Sequence, residues 1–334
     1  MSALVLTDAG PWVSIQDLGR PGFQRYGISE SGAADPISLR LANRVLGNGD
    51  GMAAFEIAAP GIALMVEDRG AVFAACGPSL SVTVDNEPAP QNTTLRLAAG
   101  SALRVRPGRG AVYAYLSVAG GFALSTQFGS CAFHARSGIG GHGGEPLRSG
   151  LRLPLPDTVP EPARMAIGAP PYDAGPIRVV RGPQADHLTA EALARFFVSA
   201  WQVDPRSDRM GVRLTGHDLA HSAKGPDTIS DGVALGSLQL PGNGQPIVLG
   251  PDRQTTGGYP KFGVIARADL PRFFQTPPGA SLRFTEISRE GAVAALAAQH
   301  RQLKALRAMR VAGDLDAERL LSLNLIDGVY GPGT

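Results

Sequence analysis

The sequence predicts a mainly β protein built from two β-rich halves, and three observations support this. The 334 residues include 43 Gly and 27 Pro, which suit short strands joined by tight turns better than long helices. Strand-like runs recur at short intervals, from GIALMVED and AVFAACG in the first half to FGVIARA and SLRFTEI in the second. Between these groups, residues 137–176 are rich in Gly and Pro and predict a linker.

These observations divide the chain into four parts. We expect an N-terminal β domain over residues 1–136, the linker over 137–176, a C-terminal β domain over 177–288 and a helical tail over 289–334. The hexapeptides GSALRV and GASLRF occur late in the two halves and resemble each other. This similarity is compatible with two related β-barrels.

Helices are expected at a few places only. Asp35 is a typical N-cap, Pro36 suits the first helical position, and Gly47 should end the helix that they begin. A second helix is expected near residues 189–200. The tail shows a helical pattern over 288–313 and a shorter one over 314–323.

Composition excludes several classes of partner. The net charge of +2 gives no reason to expect nucleic acid. No run approaches about 18 uninterrupted apolar residues, so no membrane span is expected. The first residues lack a basic start and a long apolar run, so we expect no secretory signal and a cytoplasmic protein. Cys76 and Cys131 lie far apart and are expected to be core thiols rather than a disulfide.

Two local patterns suggest sites that we do not favour. GIGGHGG at 138–144 is followed by Glu145 and Pro146 rather than by a helix, which argues against a dinucleotide loop; a flexible loop over a ligand stays open. His217 and His221 are four residues apart in a turn-rich segment without a third ligand, so we predict a surface loop and no metal site.

Three polar segments favour a functional site: RSDRMGVRL (206–214), SDGVALGSLQLPGNGQPIVL (230–249) and PDRQTTGGYPKFG (251–263). Polar groups at strand ends beside Gly turns are typical of sites carried by a rigid sheet. Lys261 stands out because it is one of only three lysines in a chain that otherwise uses arginine. In the first half, Arg20 and Glu56 are isolated charges, for which a solvated position is the alternative, and capping alone explains Asp35.

These segments resemble one known family. QDLGRPG, SGAADP with LANRVLGN, and FEI resemble its N-terminal motifs, while RSDRMG, SDGVALGSLQLPGNGQPI and DRQTTGGYPK resemble its C-terminal motifs. The family is that of the C-type subunit of 5-oxoprolinase, also described as allophanate hydrolase subunit 2 or biotin-dependent carboxyltransferase family protein. It also includes the antagonist of a sporulation-kinase inhibitor and the second half of the urea carboxylase carboxyltransferase region. The resemblance covers about residues 3–288.

The resemblance implies two cyclophilin-like β-barrel domains and a partner, the B-type subunit, which is allophanate hydrolase subunit 1-like. A lactam hydrolase, the A-type subunit, is a possible further partner. The resemblance also implies a set of site residues, carried over by motif position. Those expected to be catalytic are Lys261, Asp231, Tyr259 and Arg209. Those expected to bind substrate are Arg20, Ser31, Asp35, Glu56, Gln239, Asn243, Gln245, Arg253, Gln254 and Thr255.

The activity that the resemblance implies is ATP-dependent opening of 5-oxoproline to glutamate, by a complex in which this chain alone is inactive. ATP is then a co-substrate of the complex, and the chain itself contains no P-loop. One alternative is the acceptor half of a biotin-dependent carboxyltransferase acting on urea or an amide, with biotin carried by another chain. The other alternative is a non-enzymatic regulator that binds a kinase-inhibitor-like partner.

Overall fold

The computed structural model describes residues 3–156 and 161–311. Within them the fold is mainly β, as predicted. The strands before residue 170 are β1 (Ala3–Ala9), β2 (Val13–Gln16), β3 (Ala54–Ile57), β4 (Ile62–Val66), β5 (Ala71–Cys76), β6 (Leu80–Val84), β7 (Glu87–Pro88), β8 (Thr94–Leu97), β9 (Ala102–Pro107), β10 (Ala114–Val118), β11 (Arg152–Pro154) and β12 (Met165–Ala166).

The remaining strands and the helices follow in the second half, apart from the first helix. These strands are β13 (Ile177–Arg181), β14 (Ala200–Val203), β15 (Gly211–Thr215), β16 (Asp231–Gly232), β17 (Ser237–Gln239), β18 (Ile247–Leu249), β19 (Thr256–Gly257), β20 (Lys261–Ile265), β21 (Ser281–Glu286) and β22 (Met309–Arg310). The α-helices are α1 (Pro36–Val45), α2 (Ala190–Val198), α3 (Leu270–Phe274) and α4 (Arg289–Ala305).

The first half pairs its strands as two separate sheets. One has six strands in the order β11-β1-β4-β9-β6-β7, and the other has five in the order β2-β3-β10-β5-β8. Both contribute to one apolar core, in which Leu6 of the first sheet and Phe55, Phe73 and Leu116 of the second are fully buried. The strand pairing therefore shows two sheets around a common core here, and a second closed barrel is not shown.

Helix α1 covers the other face of the five-stranded sheet. Ala54, Ala74 and Cys76 point toward it and are fully buried, because small side chains on this face let a helix approach closely. The predicted start of α1 is confirmed: the Asp35 carboxylate accepts hydrogen bonds from the backbone of Ile37 and Ser38.

The second half closes into a seven-stranded barrel in the order β13-β20-β17-β18-β15-β14-β21. Only the β13–β21 pair within it is parallel. Its core is aromatic: Phe196 of α2 packs on Phe262 and Phe284, with ring centroids 5.0 and 4.7 Å away. Trp201 is fully buried beside them and donates its indole hydrogen to the Phe196 carbonyl at 2.9 Å. The barrel gives β17 and β20 a rigid frame.

The tail differs from its predicted pattern. Helix α4 ends at Ala305 rather than near residue 313, because Leu306 is extended and Met309–Arg310 pairs with Met165–Ala166 as β22 and β12. Leu303 is buried against α1. The shorter helix expected over 314–323 lies outside the described residues.

The segment predicted as a linker also forms structure. Its residues Arg152–Pro154 pair with β1 as an edge strand, and Met165–Ala166 pairs with the tail. The domain boundaries themselves stay a prediction. Cys76 and Cys131 are both buried free thiols, as expected. Among the described residues, no helix has the length and apolar character needed to cross a bilayer.

Candidate functional site

Arg209 lies at the junction between the two halves and is fully engaged there. It follows Asp208, whose carboxylate accepts hydrogen bonds from the backbone of Met210 and Gly211 at 2.8 and 3.0 Å and so shapes the turn before β15. The guanidinium of Arg209 binds both oxygens of Asp252, at 2.8 Å through Nε and 3.0 Å through Nη2. All of its remaining contacts reach into the first half.

Those contacts are with Glu56 and with the backbone of Gly32. Arg209 Nη1 pairs with the Glu56 carboxylate, and Nη2 donates to the Gly32 carbonyl at 2.7 Å. Burial alone would lower the pKa of Arg209, but the carboxylates of Asp252 and Glu56 raise this pKa well above its ordinary value. Because each nitrogen of the guanidinium already has a partner, Arg209 fits a positioning role better than direct contact with a substrate.

Glu56 and Asp35 are also occupied by partners within the chain. One Glu56 oxygen accepts from Ala34 N at 2.8 Å and from the Tyr115 hydroxyl at 2.6 Å. The second Asp35 oxygen accepts from Ser38 Oγ at 2.6 Å and Gln275 Nε2 at 2.9 Å, besides a Tyr172 contact. Burial and the neighbouring carboxylates raise the pKa of Tyr115 and of Tyr172. Both acids thus hold the start of α1 against the barrel half.

Lys261 is the first residue of β20, and its side chain is only 7% exposed. The pairing of β17 with β20 shifts register between Leu238 and Gln239, so that Gln239 faces Lys261 across a bulge. Bulges re-aim side chains near sites. The Lys261 ammonium lies 3.5 Å from an Asp231 carboxylate oxygen and donates no hydrogen bond within the described residues. A buried lysine beside one exposed acid is therefore available to a ligand.

Asp231 lies at the protein surface, so the Lys261–Asp231 pair is open to solvent on one side. Its side chain is 68% exposed, and β16 and β19 pair Asp231 with Gly257. Tyr259 is also partly exposed, at 43%. A depression of about 590 Å³ opens at Asp231, and it is lined by Gln184, His187, Thr228, Ile229, Ser230 and Asp231. Gln184 connects this depression to Lys261, because its Oε1 accepts from the Lys261 backbone at 2.8 Å.

Arg253 connects the barrel mouth with the first half. It is 3% exposed, and its Nη2 contacts Glu30 at 3.0 Å. Its Nε donates to the Val233 carbonyl at 3.2 Å, which also accepts from Gln24 Nε2 at 2.6 Å. Val233 follows the β16 segment of Asp231. One arginine thus joins Glu30 to the strand pair that carries the exposed acid.

Arg20 lies on the first-half side of the same junction and is 1% exposed. Its Nη2 contacts the Ala132 carbonyl, and its backbone donates to the Glu30 carbonyl at 2.8 Å. Burial lowers the pKa of Arg20, and the charges of Asp17 and Asp252 offset this only in part. Arg20 therefore stands in the neighbourhood of both Glu30 and Asp252.

The other predicted residues lie in three places: the turn at residues 243–245, the pair at residues 254–255, and Ser31. Asn243 and Gln245 stabilise a turn: Asn243 Oδ1 accepts from Gln245 N at 3.2 Å, and Gln245 binds Gly216 and Asp218. Gln254 is exposed, and the Thr255 carbonyl accepts from Val233 N at 3.1 Å. Ser31 adopts a left-handed conformation, with φ +51°, next to Glu30.

One property unites five of the predicted residues. Each has buried side-chain nitrogen or oxygen atoms that make no hydrogen bond within the described residues: Arg20 Nε and Nη1, Ser31 Oγ, Gln239 Nε2, Arg253 Nη1 and Lys261 Nζ. Buried donors without partners are rare and costly. All of these atoms are able to donate, and three of the residues are cationic, which suits a ligand with negative oxygens.

The sequence reasoning missed Glu30, Asp252, Gln24 and Gln184. Asp252 had a usable signal, because it stands beside Arg253 in the same polar segment, and Glu30 directly precedes Ser31. Gln24 and Gln184 gave no signal, since an isolated glutamine is common on any surface. Within the described residues, no group of three or more His, Cys, Asp or Glu side chains is placed to hold a metal ion.

The fold and the candidate site can now be compared with those of known protein families. The chain belongs to the family described as carboxyltransferase domain, subdomain A and B, whose model matches residues 26–286. It is similar to the C-type subunit of 5-oxoprolinase from Escherichia coli (strain K12), with 34% identity over 303 residues that cover 91% of this chain and 97% of that protein.

Two solved structures extend the comparison. The crystal structure of TTHA0988 matches with a TM-score of 0.77 and 32% identity, over 85% of this chain and 56% of that chain. The crystal structure of the K. lactis urea amidolyase matches with a TM-score of 0.83 and 28% identity, over 90% of this chain and 20% of that chain. The chain therefore spans about half of the first solved protein and a fifth of the second.

Proposed function

We propose that this chain is one component of an ATP-dependent 5-oxoprolinase, which opens the lactam of 5-oxoproline to give glutamate. Support from the relatives lies in the extent of the match, since similarity to the E. coli C-type subunit covers 97% of that protein. Support from the geometry lies in one observation above all: the Lys261 ammonium is buried at a barrel mouth, near Asp231 and without a hydrogen bond in the described residues.

The chemistry explains why such a group is needed. A lactam amide is a poor electrophile, so the proposed reaction first transfers a phosphoryl group from ATP to the carbonyl oxygen and releases ADP. Water then adds to the activated carbon, and the C–N bond of the ring breaks as the nitrogen takes a proton. A second water releases phosphate from the resulting acyl phosphate and leaves glutamate. Negative charge develops on oxygen during these steps. A preorganised cation in a dry site stabilises that charge more effectively than water does. Lys261 is assigned this role.

The remaining roles follow from exposure and contacts. Asp231 is exposed at the depression and 3.5 Å from Lys261, which suits a group that moves a proton to or from water. Tyr259 is assigned to the rim as a further hydrogen-bond donor. Gln239 faces Lys261 across the strands and is assigned to the substrate amide. Arg209 is assigned a positioning role, in place of the catalytic one predicted from the sequence.

The proposal includes partners. The ring-opening complex is assigned a B-type subunit, which is allophanate hydrolase subunit 1-like, and, for the lactam hydrolase step, an A-type subunit. ATP is assigned to the complex as a co-substrate, and since this chain has no P-loop, any contact that it makes with the nucleotide uses another geometry. We place the complex in the cytoplasm, where ATP is available.

The proposal also covers the finer description of the fold. We assign both halves to the cyclophilin-like barrel type, with domains at 1–136 and 177–288, the segment 137–176 between them and the tail at 289–334. The common core of the two first-half sheets supports this assignment. Limited proteolysis tests it: cleavage within residues 137–176 should leave two separately folded fragments, whereas loss of both fragments together would contradict two domains.

A second candidate function is the acceptor half of a biotin-dependent carboxyltransferase. It is favoured by the family description and by the TM-score of 0.83 to a urea amidolyase. Biotin would then belong to another chain, since the three lysines here lack the Met-Lys-Met context of a biotin attachment site. The third candidate is a non-enzymatic regulator that binds and sequesters a B-type partner, and this role requires no protein other than that partner.

One experiment separates the three candidates. The chain is co-expressed with B-type and A-type proteins, and the purified complex is assayed for glutamate release from 5-oxoproline with and without ATP. ATP-dependent release supports the proposal. Carboxylation of urea by a mixture with carboxybiotin, without lactam opening, would favour the second candidate. A stable complex without either activity would favour the regulator, and turnover by the isolated chain would contradict the need for partners.

A further inference from the structure

The junction between the halves contains two buried arginines, Arg20 and Arg253, which are linked through Glu30. Arg20 and Arg253 are 1% and 3% exposed. Glu30 binds both, through its backbone carbonyl to Arg20 N and through its carboxylate to Arg253 Nη2. On the other side, Arg20 contacts the Ala132 carbonyl, and His134 Nε2 lies 3.3 Å from the carbonyl of Asp252, the residue before Arg253.

Both guanidinium groups keep buried nitrogens without a hydrogen-bond partner in the described residues: Nε and Nη1 of Arg20 and Nη1 of Arg253. The neighbouring carboxylates do not accept hydrogen bonds from these nitrogens. Asp17 accepts instead from the backbone of Gly19 and Cys131, at 2.7 and 2.6 Å, and Asp252 is taken by Arg209. Charged donors buried in this way are costly unless a ligand uses them.

The segment over Arg20 has few side chains. Five of the seven residues in 138–144 are Gly, and a Cβ at Gly140 would lie 2.8 Å from Arg20 Nη2. All five glycines have positive φ. The glycines let the backbone lie close to the Arg20 guanidinium. The amides of Gly138, Gly140, Gly141 and Gly144 already donate hydrogen bonds within the chain, so the charge available to an anion here comes from the arginines.

We propose that Arg20 and Arg253 together form a binding site for one oxyanion group of a small molecule, a carboxylate or a phosphoryl group, beneath the 138–144 segment. This inference rests on the proposed function, which supplies both sources: the carboxylate of 5-oxoproline and the phosphoryl group of the co-substrate. Guanidinium groups bind both through charge-assisted hydrogen bonds. Glu30 occupies one Arg253 nitrogen and competes with the ligand.

Calorimetric titration of the isolated chain with inorganic phosphate tests the site without any turnover. We expect saturable binding in roughly the millimolar range or tighter. Arg20→Lys and Arg253→Lys keep the charge but remove the guanidinium, and each should weaken phosphate binding about tenfold or more. Arg283→Lys is the matched control, because Arg283 is exposed on β21, and it should bind as the wild type does.

Glu30→Gln gives a test that does not depend on removing a buried cation. The Glu30 side chain is 34% exposed, and neutralising it releases Arg253, so phosphate should bind several-fold tighter. A titration with 5-oxoproline then distinguishes the sources. Displacement of phosphate by 5-oxoproline identifies the carboxylate, and failure to displace it identifies the phosphoryl group.

Two results would show that the proposed oxyanion site does not exist. They are the absence of saturable phosphate binding, or phosphate binding that is unchanged in Arg20→Lys, Arg253→Lys and Glu30→Gln alike. An equal loss in Arg283→Lys would mean that phosphate binds exposed and buried arginines alike, and it would also overturn the site. Because the isolated chain is used, these results do not depend on whether the complex hydrolyses 5-oxoproline.

Discussion

Arg209 and Asp252 form a two-point ion pair, with Nε and Nη2 of the guanidinium 2.8 and 3.0 Å from the two carboxylate oxygens. The same guanidinium reaches Glu56 and the Gly32 carbonyl in the first half. Asp252 directly precedes Arg253, so this pair fixes the backbone from which Arg253 extends. One side chain therefore holds the halves together and sets the position of a candidate binding residue.

Removal of Arg209 should be costly for stability. Arg209→Gln leaves the buried Glu56 and Asp252 carboxylates without their cation, which typically costs about 3–5 kcal/mol. Urea unfolding followed by tryptophan fluorescence measures the loss, because Trp201 is buried in the barrel core. Arg206→Gln is the control: Arg206 lies in the same turn but is 79% exposed, and its loss should cost little. Equal losses in the two variants would contradict the bracing role.

The glycine segment offers a second matched pair. Gly140 and Gly143 have φ of +79° and +67°, so alanine is strained at both. A Cβ at Gly140 would lie 2.0 Å from the Ala132 carbonyl oxygen, whereas a Cβ at Gly143 meets nothing within 4 Å. Gly140→Ala should therefore destabilise the protein by about 1–3 kcal/mol more than Gly143→Ala does. Thermal unfolding of the two variants measures this difference, and a Gly143→Ala variant at least as unstable would argue against the crowded contact.

Lowering the pH should weaken the ion pairs that Asp269 forms with Arg178 and Arg272 in the barrel half. Asp269 is fully buried and binds Arg178 and Arg272, and these two arginines hold its pKa below the ordinary value although burial alone would raise it. Since the folded-state pKa is lowered, the stabilisation is present above the unfolded pKa of about 3.9 and is lost as the pH falls through the folded pKa.

Asp269→Asn tests this reasoning. At pH 7 the variant should lose about 3 kcal/mol of unfolding free energy, because two arginines lose a buried carboxylate partner. The gap between wild type and variant should narrow as the pH is lowered from about 5 to about 3. Urea unfolding at the two pH values measures the gap. A gap that stays constant or widens in acid would show that the charge of Asp269 is not what stabilises the contact.

Much of the fold was predictable because its signals are local. Asp35, Pro36 and the apolar stripe that follows them define α1 by capping and periodicity alone. The end of α4 was not predictable, because its continuation is stopped by pairing between Met309–Arg310 and Met165–Ala166, strands more than 140 residues apart in the chain. The helical pattern past Ala305 is overridden by a contact that no window of sequence contains.

The candidate site gave sequence signals of a different kind. Lys261 could be singled out because it is a lysine at the start of an apolar strand in a chain that prefers arginine, and burial of its side chain agrees with that interpretation. The contacts of Arg209 could not be predicted, because its partners Glu56 and Gly32 come from the other half. An arginine that binds substrate and an arginine that braces two halves have the same local sequence, and only the fold distinguishes them.

The role proposed for the Lys261 ammonium is to stabilise negative oxygen during ring opening. This role is tested by the ATP-dependent kcat of the reconstituted complex for 5-oxoproline, measured with Lys261→Met, Lys261→Arg and the control Lys224→Met. Lys224 is 56% exposed and pairs with Asp186. Partner binding, followed by gel filtration, confirms that each variant is folded. Both Lys261 variants should lose about 100-fold or more in kcat, while Lys224→Met should keep wild-type activity. A Lys261→Met complex with near-wild-type kcat would contradict this role.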